Sequence, residues 1–464
     1  MADMVAPSPA PPPAPAGLRQ TPMWKWAVWL AIAGAVVLGL SRLADRINGG
    51  GKGAGSLVTL PVSYGPANYA EAIRDADRSL INSSERVKNG RDEWLRWESY
   101  AHSIIRKARL TGDYGQLVEA GKALDTGKSL SPKGTGPVLV DAAWSMLVHD
   151  LPRLEGDIAV MHGFAVAPEP AERVEWTGME GDLAFYRGDY KTAYALYQKA
   201  AKIDTDAGVA FRIANWQNRM GQPDAAIDTL IAGTKAARPR PPQLLSAMLL
   251  QMGIIALQRG DWVEAQARFT EADRRFPGYW LYEAHRNQML AVNGDIPAAI
   301  RGYEAILRTN QAPEVMDALA VLYRQSGQAA PSRAWAAKAG AIWATRLAQL
   351  PAAASGHAME HELMLGDPKR ALVLAQANAA ARPHGEALVM LAIALNANNR
   401  PAEAIAVIDR VIKSGWNQAA PYMVLAQANA LLGRGDASEA AKAAALERNP
   451  RAFDPSATLV WFGH

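Results

Sequence analysis

Five consecutive residues carry the clearest catalytic pattern in the chain: His357-Ala358-Met359-Glu360-His361. On an α-helix, histidines four apart share one face, so both can ligate a single zinc ion. Glu360 then stands beside them as a general base for a metal-bound water. Glu439 lies downstream as a nominal third ligand. Zinc-dependent hydrolysis is therefore one reading of the sequence. Short strings of this kind also arise by chance, and this one lacks a mixed helix-sheet setting. No glycine-rich phosphate loop follows a strand, and no G-x-S-x-G elbow occurs. The other histidines (His102, His149, His162, His285, His384 and His464) are scattered, and zero cysteines exclude disulfides and thiolate chemistry. We expect no catalytic residues and no cofactor, with His357, Glu360 and His361 as the only metal candidates.

The elements that would hold such residues are best read from residues 249–278. Two amphipathic helices meet there at Gly260-Asp261 and the second ends at Pro277. Gly260 supplies the left-handed conformation that closes the first helix. Asp261 is a natural cap for the second, with Glu264 placed to complete a capping box. Trp262, Ala265, Phe269, Ala272 and Phe276 recur at three- and four-residue steps and form one apolar stripe. Gly253 and Ala256 on the first helix let its partner approach closely. Such a hairpin cannot bury its apolar side alone.

Equivalent corners recur at Gly188, Gly221, Gly260, Gly294, Gly327, Gly366, Asn399 and Gly433, in steps of 33, 39, 34, 33, 39, 33 and 34 residues. The unit carries Gly253, Ala265, Phe269, Ala272 and Pro277. The Gly188 unit repeats this with Gly181, Ala193, Tyr197 and Ala200, although Thr205 replaces the proline. The Gly366 unit keeps Ala371 and Pro383, and the Asn399 unit keeps Ala392 and Ala404. This pattern resembles the tetratricopeptide repeat. The resemblance implies an all-α fold, a right-handed α-solenoid of stacked helix-turn-helix pairs. It places the histidine string on the first helix of the Gly366 unit. Degenerate pairs are expected over 101–132, turning at Gly112-Asp113 or at Gly115, and over 138–168, turning near His149-Asp150. The last unit turns at Gly433 or Gly435. About nine pairs are expected in all.

The chain divides into a Pro/Ala-rich tail at 1–22, a transmembrane helix at 23–44 and a flexible linker at 45–65. An N-terminal helical region with degenerate repeats (66–170), tetratricopeptide-like repeats (171–450) and an apolar tail (451–464) follow. The run Trp26–Leu40 has no charge, Lys25 and Arg42 flank it, and Trp24, Trp26 and Trp29 suit a membrane interface. Residues 24–43 number 20, enough to cross a bilayer core of about 30 Å. A cleaved signal peptide is the alternative, but Arg42 spoils a cleavage site at Ala44. Flanking charges do not decide orientation. We expect a single-pass protein of a bacterial inner membrane with its repeats in the periplasm. The net charge of +4 over 464 residues, interleaved in sign, gives no nucleic-acid footprint. The tail that ends LVWFGH is expected to cover the last exposed helix face.

In the family this chain resembles, first helices line a concave groove that holds a peptide or a partner's helix. Transferred here, the groove collects Arg212, Asn215, Arg219, Gln251, His285, Gln288, Arg324, Glu360, Met390, Met423 and Gln427. Arg212, Asn215 and Arg219 share one helix face and together can grip a carboxylate. Met364, Met390 and Met423 suit an adaptable surface. The expected function is a membrane-anchored, non-catalytic scaffold for protein or peptide partners in a cell-envelope complex. No nucleic acid and no small-molecule substrate is expected.

Overall fold

The computed structural model describes residue 62, residues 64–133 and residues 135–460 of the chain. The expected tail at 1–22, the anchor at 23–44 and most of the linker at 45–65 lie outside the described residues. Among the described residues no helix is long and apolar enough to cross a membrane.

Those residues form 21 α-helices and no strands. Tyr69–Lys88 stands first. Ten pairs follow: Trp94–Thr111 with Tyr114–Leu130, Val138–Leu147 with Leu151–His162, Pro170–Tyr186 with Tyr190–Ile203, Ala207–Arg219 with Pro223–Ala236, and Pro242–Gln258 with Trp262–Arg275. Next come Trp280–Val292 with Ile296–Leu307, Pro313–Gln325 with Ala329–Gln349, Pro351–Leu365 with Pro368–Ala381, Gly385–Ala397 with Pro401–Lys413, and Ala419–Leu431 with Gly435–Arg448. Each pair packs internally and onto the next. The first helices of successive pairs also touch, as Pro351–Leu365 does Gly385–Ala397 and Gly385–Ala397 does Ala419–Leu431. The chain is thus a helical-repeat array.

Local chemistry explains the corners. Gly188, Gly221, Gly260, Gly294, Gly327 and Gly433 all take positive φ, and Asn399 does so at 56°. Asparagine tolerates this region because its short side chain bonds locally. Gly366 departs from the pattern at φ −120°. There the helix end is closed by Glu362, whose carboxylate accepts the amide of Asp367 at 3.0 Å. In the degenerate pairs the turns fall at Gly112 (φ 71°), with Gly115 inside the following helix, and at His149 (φ 60°). In the last pair Gly433 is the corner, and Asp436 lies inside the helix rather than capping it. Asp189, Asp261 and Asp295 accept the amides of Thr192, Glu264 and Ala298 at 3.0–3.1 Å. The capping box at Asp261 is only half made, because Glu264 turns to Arg268 at 2.6 Å. A charge-assisted bond one turn along outcompetes the backbone amide.

Small and aromatic residues interlock as the stripe requires. Ala265, Phe269, Ala272 and Phe276 are wholly buried, and any Cβ on Gly253 would collide with the Phe269 ring. Gly181 bears the same relation to Tyr197.

Local periodicity does not reveal that the array folds back on itself. The helix Trp94–Thr111 ends in carbonyls that have no partner within the helix, and distant repeats supply the donors. Tyr279 Oη donates to the Arg109 carbonyl, and Tyr69 Oη and Trp280 Nε1 to that of Leu110, each at 3.2 Å. Asn310 Nδ2 donates to Thr111 at 3.0 Å and Arg346 Nη2 to Gly112 at 3.1 Å. Further along, the amide of Asn417 donates to the Arg219 carbonyl at 2.8 Å. The apolar core follows the same path: Phe185, Tyr190 and Tyr197 share one cluster with Met359, Ala371, Leu388 and Trp416. Early and late pairs therefore bury each other's flanks.

Of the expected apolar tail, residues 461–464 lie outside the described residues, and residues 451–460 run to a different part of the array. After Arg448 the chain crosses to the pairs around residue 260, where Arg451 stacks 4.4 Å from the Trp262 ring centre. A short 3-10 turn, Pro455–Leu459, then buries Leu459 among Ile254, Leu257, Ala284 and Val315. A late apolar residue finds more buried surface there than on the Ala-rich Gly435–Arg448 helix.

Candidate functional site

Where early and late pairs meet, they line a half-open cavity of about 320 Å³. One wall comes from Arg219, Leu257, Gln258 and Trp262, the other from Glu360, Glu386, Val389, Met390, Trp416, Gln418 and Met423. Ala452, Ala457 and Val460 of the tail close a third side.

Its polar edge is a chain of bonds across the fold. Arg219 ends the helix Ala207–Arg219, where a cation suits the macrodipole, and Glu386 sits in the first turn of Gly385–Ala397, where an anion does. The two pair at 3.0 Å, and Arg219 also donates to Gln418 at 3.0 Å. Gln258 accepts from Asn218 at 2.8 Å and from Gln418 at 3.0 Å. The Arg219 guanidinium lies 5.3 Å from the Trp416 ring centre. Trp416 follows Gly415, whose φ of 92° turns the chain inward. The indole is 2% exposed and packs on Tyr190, Phe185 and His384. The Tyr190 hydroxyl accepts the Gly385 amide at 2.7 Å, and burial pushes its pKa up to about 12.

Four of the residues expected in the groove reach this cavity: Arg219, Glu360, Met390 and Met423. The others do not. Arg212 is held by Glu175 at 2.9 Å and by Asp182 at 2.9 Å, so it does not form a carboxylate grip with Arg219. Burial works against the Arg212 cation, but Asp182 and then Glu175 outweigh it and hold the pKa above its usual value. Asn215 and Gln251 are half-buried away from the lining. His285 and Gln288 are core residues, 3% and 0% exposed, with His285 Nδ1 at 2.8 Å from the Leu281 carbonyl and its ring against Phe269. Arg324 is exposed and donates to the Met364 carbonyl at 2.6 Å. Gln427 is exposed and accepts from Asn396 at 3.3 Å. Trp416, Gln418, Glu386, Gln258 and the tail were not anticipated. Trp416 in particular sits between two repeats, outside the helix stripes that periodicity weighs.

The histidine string is structural. His361 Nδ1 lies 2.6 Å from Asp317 Oδ1, and Trp343 Nε1 donates to Asp317 Oδ2 at 2.8 Å. Burial lowers the His361 pKa, but Asp317 more than compensates and the net shift is upward. His357 stacks on Trp343 with ring centres 5.9 Å apart, its Nδ1 3.2 Å from Glu360. Glu439 pairs with Lys442 on an exposed face at 2.6 Å. Among the described residues no group of three or more His, Asp or Glu is placed to hold a metal ion. Histidines four apart do share a face, but that face packs against the preceding pair.

His384 makes the meeting of early and late pairs sensitive to acid. Its ring is 5% exposed, 5.0 Å from Tyr186 and 6.4 Å from both Phe185 and Trp416, and burial lowers its pKa from 6.5 to about 4. The unfolded chain therefore takes up the proton first. This contribution is complete above pH 6.5 and is lost as pH falls toward 4. We expect urea stability to drop by about 2 kcal/mol between about pH 6.5 and pH 5 from this residue. His384→Gln should flatten that drop, and an unchanged slope in the variant would contradict the assignment.

No family model matches the chain. No curated protein matches it. Among solved structures it is similar to a chain of the APC/C hetero-tetramer Cut9-Hcn1, at 12% identity over 84% of this chain and 82% of that one, with TM-score 0.39. A tetratricopeptide repeat protein from Parabacteroides merdae gives 15% identity over 63% and 99%, with TM-score 0.33. Yeast Tom70 gives 14% identity over 84% and 87%, with TM-score 0.36. Likeness at these scores carries no argument of its own. The repeat architecture rests on the helix pairs themselves.

Proposed function

We propose that the chain is a membrane-anchored, non-catalytic scaffold that holds a protein partner's segment in the cavity between its early and late repeats. The observation that carries this reading is the lining. Leu257, Val389, Met390, Met423 and Trp416 offer adaptable apolar contact, and the Arg219–Glu386 edge offers both charges for orientation. The volume, about 320 Å³, suits one or two anchoring side chains of an extended segment rather than a whole helix. The zinc-hydrolase reading is set aside because Asp317 engages His361. For the membrane, the reading rests on the uncharged run within 23–44. The proposed location, with the repeats on the far side of a bacterial inner membrane, is carried over from the sequence as a proposal.

Partner capture from cells tests the reading. Full-length chain carrying a photo-crosslinking amino acid at Met390 should trap one or a few partners, and the added substitution Met423→Arg should abolish the trapping. If the same partners are trapped at equal yield, the cavity is not the binding site. The mass of the mature protein separates an anchored chain from a cleaved one.

A further inference from the structure

We propose that the fold binds one small oxyanion, a phosphate or a carboxylate, as the counter-ion of the buried Arg382. The site lies between the end of the Pro368–Ala381 helix and the early corner at His149.

Four arginines are buried among the described residues: Arg219, Arg268, Arg346 and Arg382. Three pair with a carboxylate, Arg219 with Glu386 at 3.0 Å, Arg268 with Glu264 at 2.6 Å and Arg346 with Glu314 at 2.8 Å. Arg382 is 8% exposed, and no acid pairs with it among the described residues. Its Nη2 donates to Asn378 Oδ1 at 2.7 Å, while its Nε is buried with no partner. A guanidinium cannot shed its proton, and a buried cation without a counter-charge is strongly destabilising. Arg382 caps the end of its helix, where the macrodipole offers about half a negative charge. The rest is unbalanced.

The acids that act on Arg382 and on the adjacent Tyr186 are committed elsewhere. Glu386 holds Arg219, and Asp182 holds Arg212 at 2.9 Å and accepts the Tyr197 hydroxyl at 2.9 Å. Burial therefore lowers the Arg382 pKa, whereas for Arg212 the paired acids outweigh burial and raise it.

Other donors gather at the same place. The Arg382 guanidinium carbon lies 5.7 Å from the Tyr186 ring centre, and the rings of His149 and His384 lie 5.5 Å and 5.0 Å from it. His149 Nδ1 is also buried with no partner, and as the Nδ1–H tautomer it can donate to an oxygen. Burial, then Arg382, His384 and His357, hold the His149 pKa well below its usual value, so the local potential is positive. The planar guanidinium fork matches two oxygens of one carboxylate or phosphate. Beside it Gly356 carries no side chain. A Cβ there would stand 3.7 Å from Asn378 Nδ2 and 3.9 Å from Arg382 Nη2, which are ordinary contact distances. None of these residues lines the cavity assigned to the partner segment, and the anion site does not rest on that reading.

Gly356 supplies the deciding variant. Full-length protein in a chloride buffer is titrated with phosphate, sulfate or acetate at constant ionic strength. Calorimetry reads binding, and thermal denaturation reads stability. The unaltered chain should bind one oxyanion and melt at a higher temperature with it than in chloride alone. A response to phosphate and sulfate would support a tetrahedral oxyanion, and a response to acetate a carboxylate. Arg382→Gln should weaken binding at least about tenfold. Gly356→Asp keeps the test independent of whether that variant folds. It sets a carboxylate beside Arg382 as a built-in counter-ion, so it should melt higher than the unaltered chain in chloride and lose the response to added anion. Gly356→Asn, of the same size but uncharged, should keep the response. An unaltered chain that answers none of the three anions would overturn the proposal. Gly356→Asp that still binds with unaltered affinity would also overturn it, because the anion would then sit elsewhere.

Discussion

Trp416→Ala is expected to cost about 4 kcal/mol, near the top of the range for a single side chain in this protein. The indole is 2% exposed and touches Phe185 and Tyr190 from an early pair and His384 from a late one. Its removal leaves a cavity that three rigid rings cannot close, and the Arg219 guanidinium loses its aromatic face. The effect should exceed a simple loss of stability. In an open repeat array each unit depends only on its neighbours. Here Trp416 links units that are far apart in sequence, so its loss should also broaden the urea transition and lower the apparent m-value. Equilibrium unfolding of the variant, followed by circular dichroism, would show both. A loss below about 1 kcal/mol with an unchanged slope would mean that the early and late pairs do not support each other.

Ala265→Arg should be more damaging still. Ala265 is wholly buried between Pro242–Gln258 and Trp262–Arg275, one turn from Phe269. An arginine there has neither room nor a partner, and forcing it in costs about 5 kcal/mol or more. The pair carries part of the cavity wall through Leu257, Gln258 and Trp262, so local unfolding would open the site as well. Ala265→Gly provides the control, since it removes only a methyl group and helix propensity, at about 1 kcal/mol. Proteolysis confined to residues 242–275 in the arginine variant is the expected signature. A folded, protease-resistant Ala265→Arg would contradict the packing described for this pair.

The helix pairs were legible because their determinants are local. A left-handed corner, an aspartate beside it and an Ala-aromatic-Ala stripe all fall within about 30 residues, the reach of one supersecondary unit. The cavity was not legible in the same way. Gln418 meets Gln258 across 160 residues, Arg219 meets Glu386 across 167 and Gln418 across 199. Nothing in a three- or four-residue period encodes a separation of that kind. Arg212 and Arg219 show the difference well. They share one helix, as their spacing requires, yet Arg212 turns to Glu175 and Asp182 of the preceding pair while Arg219 crosses to the far side. Charge type and helix face were readable, whereas the partner was not. His361 repeats the lesson, since its ligand-like spacing is real and its partner, Asp317, lies 44 residues away on another helix.

Hydrogen exchange tests most directly whether the array closes on itself. The amides of Asn417, Gly385 and Tyr69 donate to the Arg219 carbonyl, the Tyr190 hydroxyl and the Pro277 carbonyl, and none of these acceptors belongs to the donor's own pair. In the full chain, fragment-resolved mass spectrometry should find all three amides exchanging about a thousandfold more slowly than unprotected ones, equivalent to about 4 kcal/mol of opening. Exchange near the unprotected rate at these three positions, with the helix interiors still protected, would show an open array and contradict the account.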